Sequence, residues 1–295
     1  MMARKLVIGT RGSKLALWQT EKVRECLNAV FPELQMEVRI FKTLGDRHPE
    51  LDLMTNQGKG VFCSELEQAL LRDEIDLAVH SVKDLPGVLP EGLVLGGYLK
   101  REDPREVLVG RNGWNLQTLP KCACIGTSSR RRLVQLQKIR PDLKFEPIRG
   151  NVETRIKKVL DGRYDATILA LAGIRRLQLE HYITQYFELA ELVPAPGQGC
   201  IGVEIRKEDV ELNGLLNRIT HLETKVVIKA ERAFLKRMGG NCQSAYGAYG
   251  YLLQDEIRLT GLYGETFDSI QIRSLSASKE QGEILGVQLA EMLFG

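Results

Sequence analysis

Two hydrophobic rhythms alternate along this chain, one of period two and one helical, and they change over at turns rich in glycine, serine and arginine. Residues 4–9, with the apolar run Leu6, Val7 and Ile8, predict a first strand. From 15 to 30 the spacing is helical, with Leu15, Trp18, Val23 and Leu27 near one face. Between them lies TRGSK. Gly9 and Gly12 permit a tight turn, Ser13 is placed to cap the helix, and Arg11 stands at its mouth. A strand feeding a helix N-terminus in this way makes an anion site. Residues 36–43 predict a second strand. Residues 46–58 show no clear period, and so long a loop is expected to be a mobile flap. Lys59 and Gly60 close it, and a helix follows with Val61, Leu66, Ala69 and Leu70 inward. Residues 74–79 and 92–99 predict two more strands.

The break at Asp103-Pro104 marks a crossover into a second unit, which opens with strands near Val107 and Cys122. Residues 126–139 are again strand, turn and helix. Thr127, Ser128 and Ser129 can cap, while Arg130, Arg131 and Arg132 crowd the first turn. Cations there oppose the helix dipole, so an anion is expected nearby. The arrangement recurs twice. A strand to Ile148 is followed by Arg149-Gly150-Asn151 and a helix carrying Arg155, and residues 166–177 place Arg176 after another buried strand. Guanidinium groups at helix mouths bind carboxylates or phosphate. No GxxxxGK[ST] loop is present, which argues against a nucleotide. Residues 192–205 read as a hinge returning to a strand of the first sheet. A last unit begins near Leu222: a strong helix, three strands and a closing helix, which fits a small three-stranded sheet with two helices. The expected division is 1–100 with 198–219, then 101–197, then 220–295.

Composition narrows the class. The 43% hydrophobic and 27% charged residues supply a core and argue against disorder. The net charge of +3, from 41 basic and 38 acidic residues, is too balanced to suggest nucleic acid. The first 14 residues lack the apolar run of an export signal, and no stretch approaches a membrane span, so a cytoplasmic protein with reduced cysteines is expected. Cys122-Ala-Cys124 alternates like a strand and reads as structural. The four histidines have no ligand-like spacing, and no metal is expected.

Two places carry chemistry. In LAVHSVKDLP (77–86) an apolar strand ends in His80, Ser81, Lys83 and Asp84 before Pro86. Ligands of open α/β sheets bind at such strand ends, and Asp84 beside Lys83 is a candidate acid/base or charge-stabilising carboxylate. Cys242, in a Gly-Gly-Asn turn, is either a buried inert thiol or a covalent attachment point.

Nine ordered motifs, TRGSKLALWQ, GKGVFCSELEQALL, AVHSVKDLP, REDPRE, GTSSRRR, IRGNVETR, AGIRRL, PGQG and ERAFLKRMGGNCQ, resemble the porphobilinogen deaminase (hydroxymethylbilane synthase) family over essentially the whole chain. The resemblance implies two α/β domains of the periplasmic-binding-protein type and a small α+β C-terminal domain. It implies a dipyrromethane cofactor held by a thioether, here on Cys242. It also implies the joining of four porphobilinogen molecules, with loss of ammonia, into 1-hydroxymethylbilane. Carried over by motif, Lys83, Asp84, Thr127, Ser129, Arg131, Arg132, Gly150 and Arg155 would hold the cofactor. Arg11, Ser13, Arg149, Arg155 and Arg176 would grip substrate, with Asp84 and Lys83 catalytic. A monomer is expected, with no nucleic-acid or membrane partner. The sequence departs from the family pattern at Asn56-Gln57, Ser64, Arg130, Pro196, Cys200 and Ala245-Tyr246-Gly247. A two-lobed solute-binding module without catalysis is the alternative, and a nucleic-acid binder using Arg130–Arg132 is a third reading.

Overall fold

The computed structural model describes residues 5–43, 63–239 and 245–294. The proposed flap at 46–58, with Lys59, Gly60 and Val61, lies outside the described residues, as does Cys242.

The first sheet holds β1 (Leu6–Arg11), β2 (Met36–Phe41), β3 (Leu77–Ser81), β4 (Leu93–Tyr98) and, from much later in the chain, β10 (Ile201–Arg206), in the order β2-β1-β3-β10-β4. β1 runs parallel to β2 through the pair Arg11↔Phe41. It therefore extends two residues beyond the expected end and carries Arg11 to the sheet's rim. β3 is likewise displaced from the expected 74–79. Its pairing with antiparallel β10 continues through Ser81↔Ile201, and this draws His80 and Ser81 into the strand. A single 3-10 turn, Val82–Asp84, follows, closed by the Leu85 N–H donating to the Val82 carbonyl. Helix α1 (Lys14–Val30) starts with Ser13 Oγ accepting from the Ala16 N–H at 3.2 Å. It buries Val23 and Leu27 against the sheet. α2 (Ser64–Leu71) packs Leu66, Ala69 and Leu70 on the other face. Between two strands β10 is covered on both faces, and all but its last residue are buried.

The second sheet has β5 (Glu106–Gly110), β6 (Cys124–Gly126), β7 (Lys144–Glu146), β8 (Ala166–Ala170) and β9 (Gln185–Tyr186), in the order β7-β6-β8-β5-β9. Cys122 does not join it. Its φ of 60° puts it in a left-handed turn ahead of β6, exposed, so the alternation read at Cys122-Ala-Cys124 is not that of a strand. Helices α3 (Arg130–Ile139), α4 (Val152–Leu160) and α5 (Leu171–Arg176) follow β6, β7 and β8, and each brings its arginines to the same rim. α6 (Val210–Ile219) then packs Leu212 and Leu216 into the first core.

The third unit is the antiparallel sheet β11 (Ala245–Leu253), β12 (Glu256–Gly264) and β13 (Gln271–Ser278), with α7 (Leu222–Arg237) and α8 (Gly282–Phe294) on one face. The two helices cross so closely at Gly286 that a Cβ there would stand 2.2 Å from the Ala230 carbonyl oxygen. The unit is tied to the hinge by Glu231. Its carboxylate accepts from Arg101 at 2.6 and 3.2 Å and from the Gly197 and Gly250 N–H groups at 2.6 and 2.8 Å.

Candidate functional site

The rims of the first two sheets face each other across a cleft of about 560 Å³. Seven cationic side chains line it. From the first lobe come Arg11, Ser13, Ser81, Lys83 and Asp84, and from the second Arg131, Arg132, Arg149, Arg155 and Arg176. The hinge residues Gln198 and Gly199 lie at its base.

The second wall is built on a buried ion triad. Glu106, at the start of β5, is wholly buried. Arg131 donates to its Oε1 at 2.6 Å, and Arg132 donates to Oε1 at 3.0 Å and Oε2 at 2.8 Å. Burial alone would raise this carboxyl, but the two guanidinium groups overcome it and hold Glu106 down at about 2. The anion expected beside the arginines of α3 is therefore an internal one. One carboxylate against two cations leaves positive charge facing the cleft. The remaining arginine donors fix geometry: Arg131 to the Val193 carbonyl at 2.7 Å, Arg132 to the Ile168 carbonyl at 2.8 Å. Ser129 caps α3 by accepting from the Arg132 N–H. Arg130 turns away and donates to the Glu265 carbonyl of the third unit.

Next to it Arg155 donates to the Gly150 carbonyl at 2.7 Å. Gly150 has φ +109°, and a Cβ there would meet Thr154 at 2.7 Å, so the Arg149–Asn151 turn requires glycine. Burial and the neighbouring Arg132 and Arg149 lower Arg155 to about 10, while Asp84 opposes them. Arg176, at the end of α5, donates to the Gly199 carbonyl at 2.6 Å and lies over the Trp18 ring at 5.7 Å. Burial lowers it too, to about 10. These crowded cations are electrostatically unsatisfied in a way that an anionic ligand would relieve.

The first wall supplies the acid. Asp84 is exposed into the cleft at the end of its 3-10 turn. Lys83 beside it reaches across to Gln198 Oε1 at 3.3 Å, and Gln198 is itself held by donating to the Pro104 carbonyl at 2.8 Å. Burial lowers Lys83 to about 8, with Asp84 and Glu106 raising it and Arg131 and Arg132 lowering it. The Lys83 ammonium thus sits where the charges of both walls meet.

Of the residues singled out from sequence, Arg11, Ser13, Lys83, Asp84, Ser129, Arg131, Arg132, Arg149, Gly150, Arg155 and Arg176 converge on this cleft. Thr127 does not line it. Thr127 is buried, and its Oγ1 accepts from the Ser129 N–H at 3.2 Å, so it acts by holding the cap residue. Glu106 and Gln198 were missed. The available signal for Glu106 was an acidic residue opening the apolar run EVLV.

Comparison with known proteins agrees with this geometry. The family described as "Porphobilinogen deaminase, dipyromethane cofactor binding domain" matches residues 6–214, and "Porphobilinogen deaminase, C-terminal domain" matches 225–295. The chain is 45% identical to a porphobilinogen deaminase of Roseiflexus sp. over 99% of its own length and 96% of that protein's. It is 43% identical to one of Carboxydothermus hydrogenoformans (99% and 94%) and 40% identical to one of Syntrophobacter fumaroxidans (99% and 96%).

Proposed function

Because the chain belongs to the porphobilinogen deaminase family, we propose that its cleft joins four porphobilinogen molecules head to tail, with loss of ammonia, to give 1-hydroxymethylbilane. The observation that carries this reading is the exposed Asp84, set among seven cations in a cleft of about 560 Å³. The family match does not favour the alternative of a module that only binds. We read the chain as a transferase and as a cytoplasmic monomer without nucleic-acid or membrane partners.

The residues present fit a dipyrromethane cofactor. Each of its two pyrrole rings carries an acetate and a propionate, and the second wall presents arginine donors in excess of its internal anion. Arg131, Arg132, Arg155 and Lys83, with Ser129, would hold those carboxylates, and Thr127 supports Ser129. Cys242 is the proposed thioether attachment point, on the strength of the motif GGNCQ. When bound, the cofactor supplies the pyrrole carbon to which substrate units are added.

The chain's own groups do the rest. Arg11, Ser13, Arg149 and Arg176 orient the carboxylates of incoming porphobilinogen. Asp84 stabilises positive charge near the pyrrole nitrogens and takes part in proton transfer at the reacting carbons. Lys83, held by Gln198, keeps a positive charge beside Asp84.

Intact mass of the denatured protein tests the attachment. An excess equal to two linked pyrrole units, lost in Cys242→Ser, is expected. An unmodified protein that forms no adduct and releases no ammonia with porphobilinogen would sink the reading. Asp84→Asn should keep the fold and lose at least ~100-fold in turnover. Near-normal turnover in a folded Asp84→Asn protein would remove Asp84 from the chemistry.

A further inference from the structure

Behind Asp84, beside Arg11, lies a second polar region whose inner residues this mechanism does not use. A cavity of about 60 Å³ is lined by Arg11, Ser13, Gln19, Cys63, His80 and Asp84. That is room for a small cluster of water molecules, and the lining is polar enough to hold them. His80 walls this cavity, and its Nε2 stands 3.0 Å from Glu204 Oε2. Sheet register explains the approach. Glu204 pairs with Ala78 and His80 with Gly202, so the two side chains are diagonal neighbours on one face.

Glu204 is wholly buried, and His80 and Glu67 nearly so. Among the described residues, five buried side-chain atoms of this region make no aligned hydrogen bond: Glu67 Oε1, His80 Nε2, both carboxylate oxygens of Glu204, and Arg232 Nη1. Orphaned groups on this scale are costly unless they serve a purpose. They feel one another. The Glu204 charge acts on Glu67, on Cys63 and on Arg232, and the His80 charge acts on Glu67. Arg232 enters from α7 of the third unit and donates to the Pro86 carbonyl, just past the catalytic turn, at 2.9 Å. The titratable and charged groups around His80 and Glu204 are therefore Cys63 and Glu67 at α2, Asp84 across the cavity, Arg11 at the mouth of α1 and Arg232 on α7, with Tyr98 on β4 and Cys200 acting on Arg232.

We propose that His80, Glu204 and Glu67 form a proton relay that serves Asp84 through this cavity, with Arg232 of the third unit setting its charge. The proposal rests on the condensation reading above and adds the route of its proton. In each condensation the substrate's aminomethyl group enters as an ammonium, and the C–N bonding pair leaves with nitrogen as ammonia. A C–C bond forms in its place. The attacking pyrrole carbon gives up its hydrogen as a proton, and its C–H pair restores the ring. That proton passes from Asp84 through cavity water to the imidazole, which has a second nitrogen facing Glu204 and can take up on one side while releasing on the other. It is given up before the next cycle, and ammonia leaves as ammonium, so protons balance. His80, Glu204 and Glu67 touch no substrate. They are positioning residues that act through Asp84.

The test uses the full-length protein. The His80 ring signals are followed by NMR in cofactor-free wild type and Glu204→Gln, with their assignment through His80→Gln. Loss of the carboxylate 3.0 Å from Nε2 should move those ring signals. In cofactor-loaded protein, with loading confirmed by intact mass, His80→Gln and Glu204→Gln should each lose about tenfold or more in kcat while KM stays within about twofold. The kcat–pH profile should shift, and the solvent deuterium isotope effect should rise. Unchanged kcat and an unchanged pH profile in folded, loaded variants would overturn the relay, as would His80 ring signals indifferent to Glu204. If His80→Gln does not fold, Glu67→Gln and the wild-type isotope effect decide by the same criteria. Wild-type protein that releases no ammonia from porphobilinogen would instead overturn the functional reading, whatever the NMR shows.

Discussion

Each lobe of this molecule buries one carboxylate behind its wall of the cleft, and the two are treated in opposite ways. Glu106 and Glu204 both have no exposed surface. Glu106 receives three donor bonds from two arginines and is held down at about 2. Glu204 faces one imidazole at 3.0 Å, and neither oxygen makes an aligned hydrogen bond. The same side chain is thus an anchor in one lobe and a loosely held group in the other. A saturated buried anion fixes cations in place, and such a pair is expensive to break. An unsaturated one leaves lone pairs open, and a buried group left so is costly unless it serves a purpose. The second lobe is built to hold charge and the first to move it.

The largest effect that would sharpen this contrast is Glu106→Gln. It leaves Arg131 and Arg132 buried without their anion, and cofactor-free protein should lose about 3–5 kcal/mol in urea unfolding. Cofactor-loaded protein should lose less, since bound carboxylates replace part of the missing charge. The pH dependence has a definite sign. A carboxyl depressed in the folded state contributes stability that is present above its unfolded value. That stability is lost as pH falls toward about 2. The acid limb of the wild-type stability curve should therefore flatten in Glu106→Gln. An equal loss in loaded and cofactor-free protein would mean that Glu106 is scaffold alone.

Glu67 tests the other lobe and should give a smaller effect of the opposite sign. Burial is the first cause that raises this carboxyl, and Glu204 adds to it, against the Cys63 hydrogen bond and His80. A raised acid costs stability as pH climbs from its unfolded value through its folded one. Glu67→Gln removes that cost. The variant should match wild type near pH 4 and exceed it, by on the order of 1 kcal/mol, at pH 8. Thermal melts at the two pH values check this. A variant destabilised at pH 8 would show that the Glu67 charge is satisfied and that the first lobe is no looser than the second.

Much of the cleft could be read from the chain because its parts are punctuated. Serine caps, the strained Gly150 turn and arginines in first helical turns are local features, and local features survive in sequence. Glu204 was not legible for a physical reason. In IGVEIR the glutamate alternates with Val203 and Ile205 and so looks solvent-facing. Only the antiparallel insertion of β10 between β3 and β4 makes both its faces interior. The strand ends at Arg11 and Ser81 were misplaced by two residues for a related reason, because pairing with distant partners extends them. Thr127 was read as a ligand, and the structure adds that its Oγ1 accepts from the Ser129 N–H, a cap contact that adjacent hydroxyls do not reveal before their partners are known.

The smallest expected effect isolates burial as the cause of the contrast. At the rim of the cleft Lys14, in the first turn of α1, pairs with Glu153 of the opposite lobe at 2.6 Å, as short as the Arg131–Glu106 contact. The side chains are 76% and 37% exposed, against 7% and 0% for the buried pair. Water screens the rim pair, and holding two long side chains in one geometry cancels much of the remaining attraction. Lys14→Ala should therefore change unfolding stability by less than about 1 kcal/mol, and raised salt should erase the difference. A salt-insensitive loss approaching that of Glu106→Gln would mean that span across the lobes, and not removal from water, gives the buried triad its strength. The two buried carboxylates would then differ because of where they connect, and the relay would have to be argued from connectivity alone.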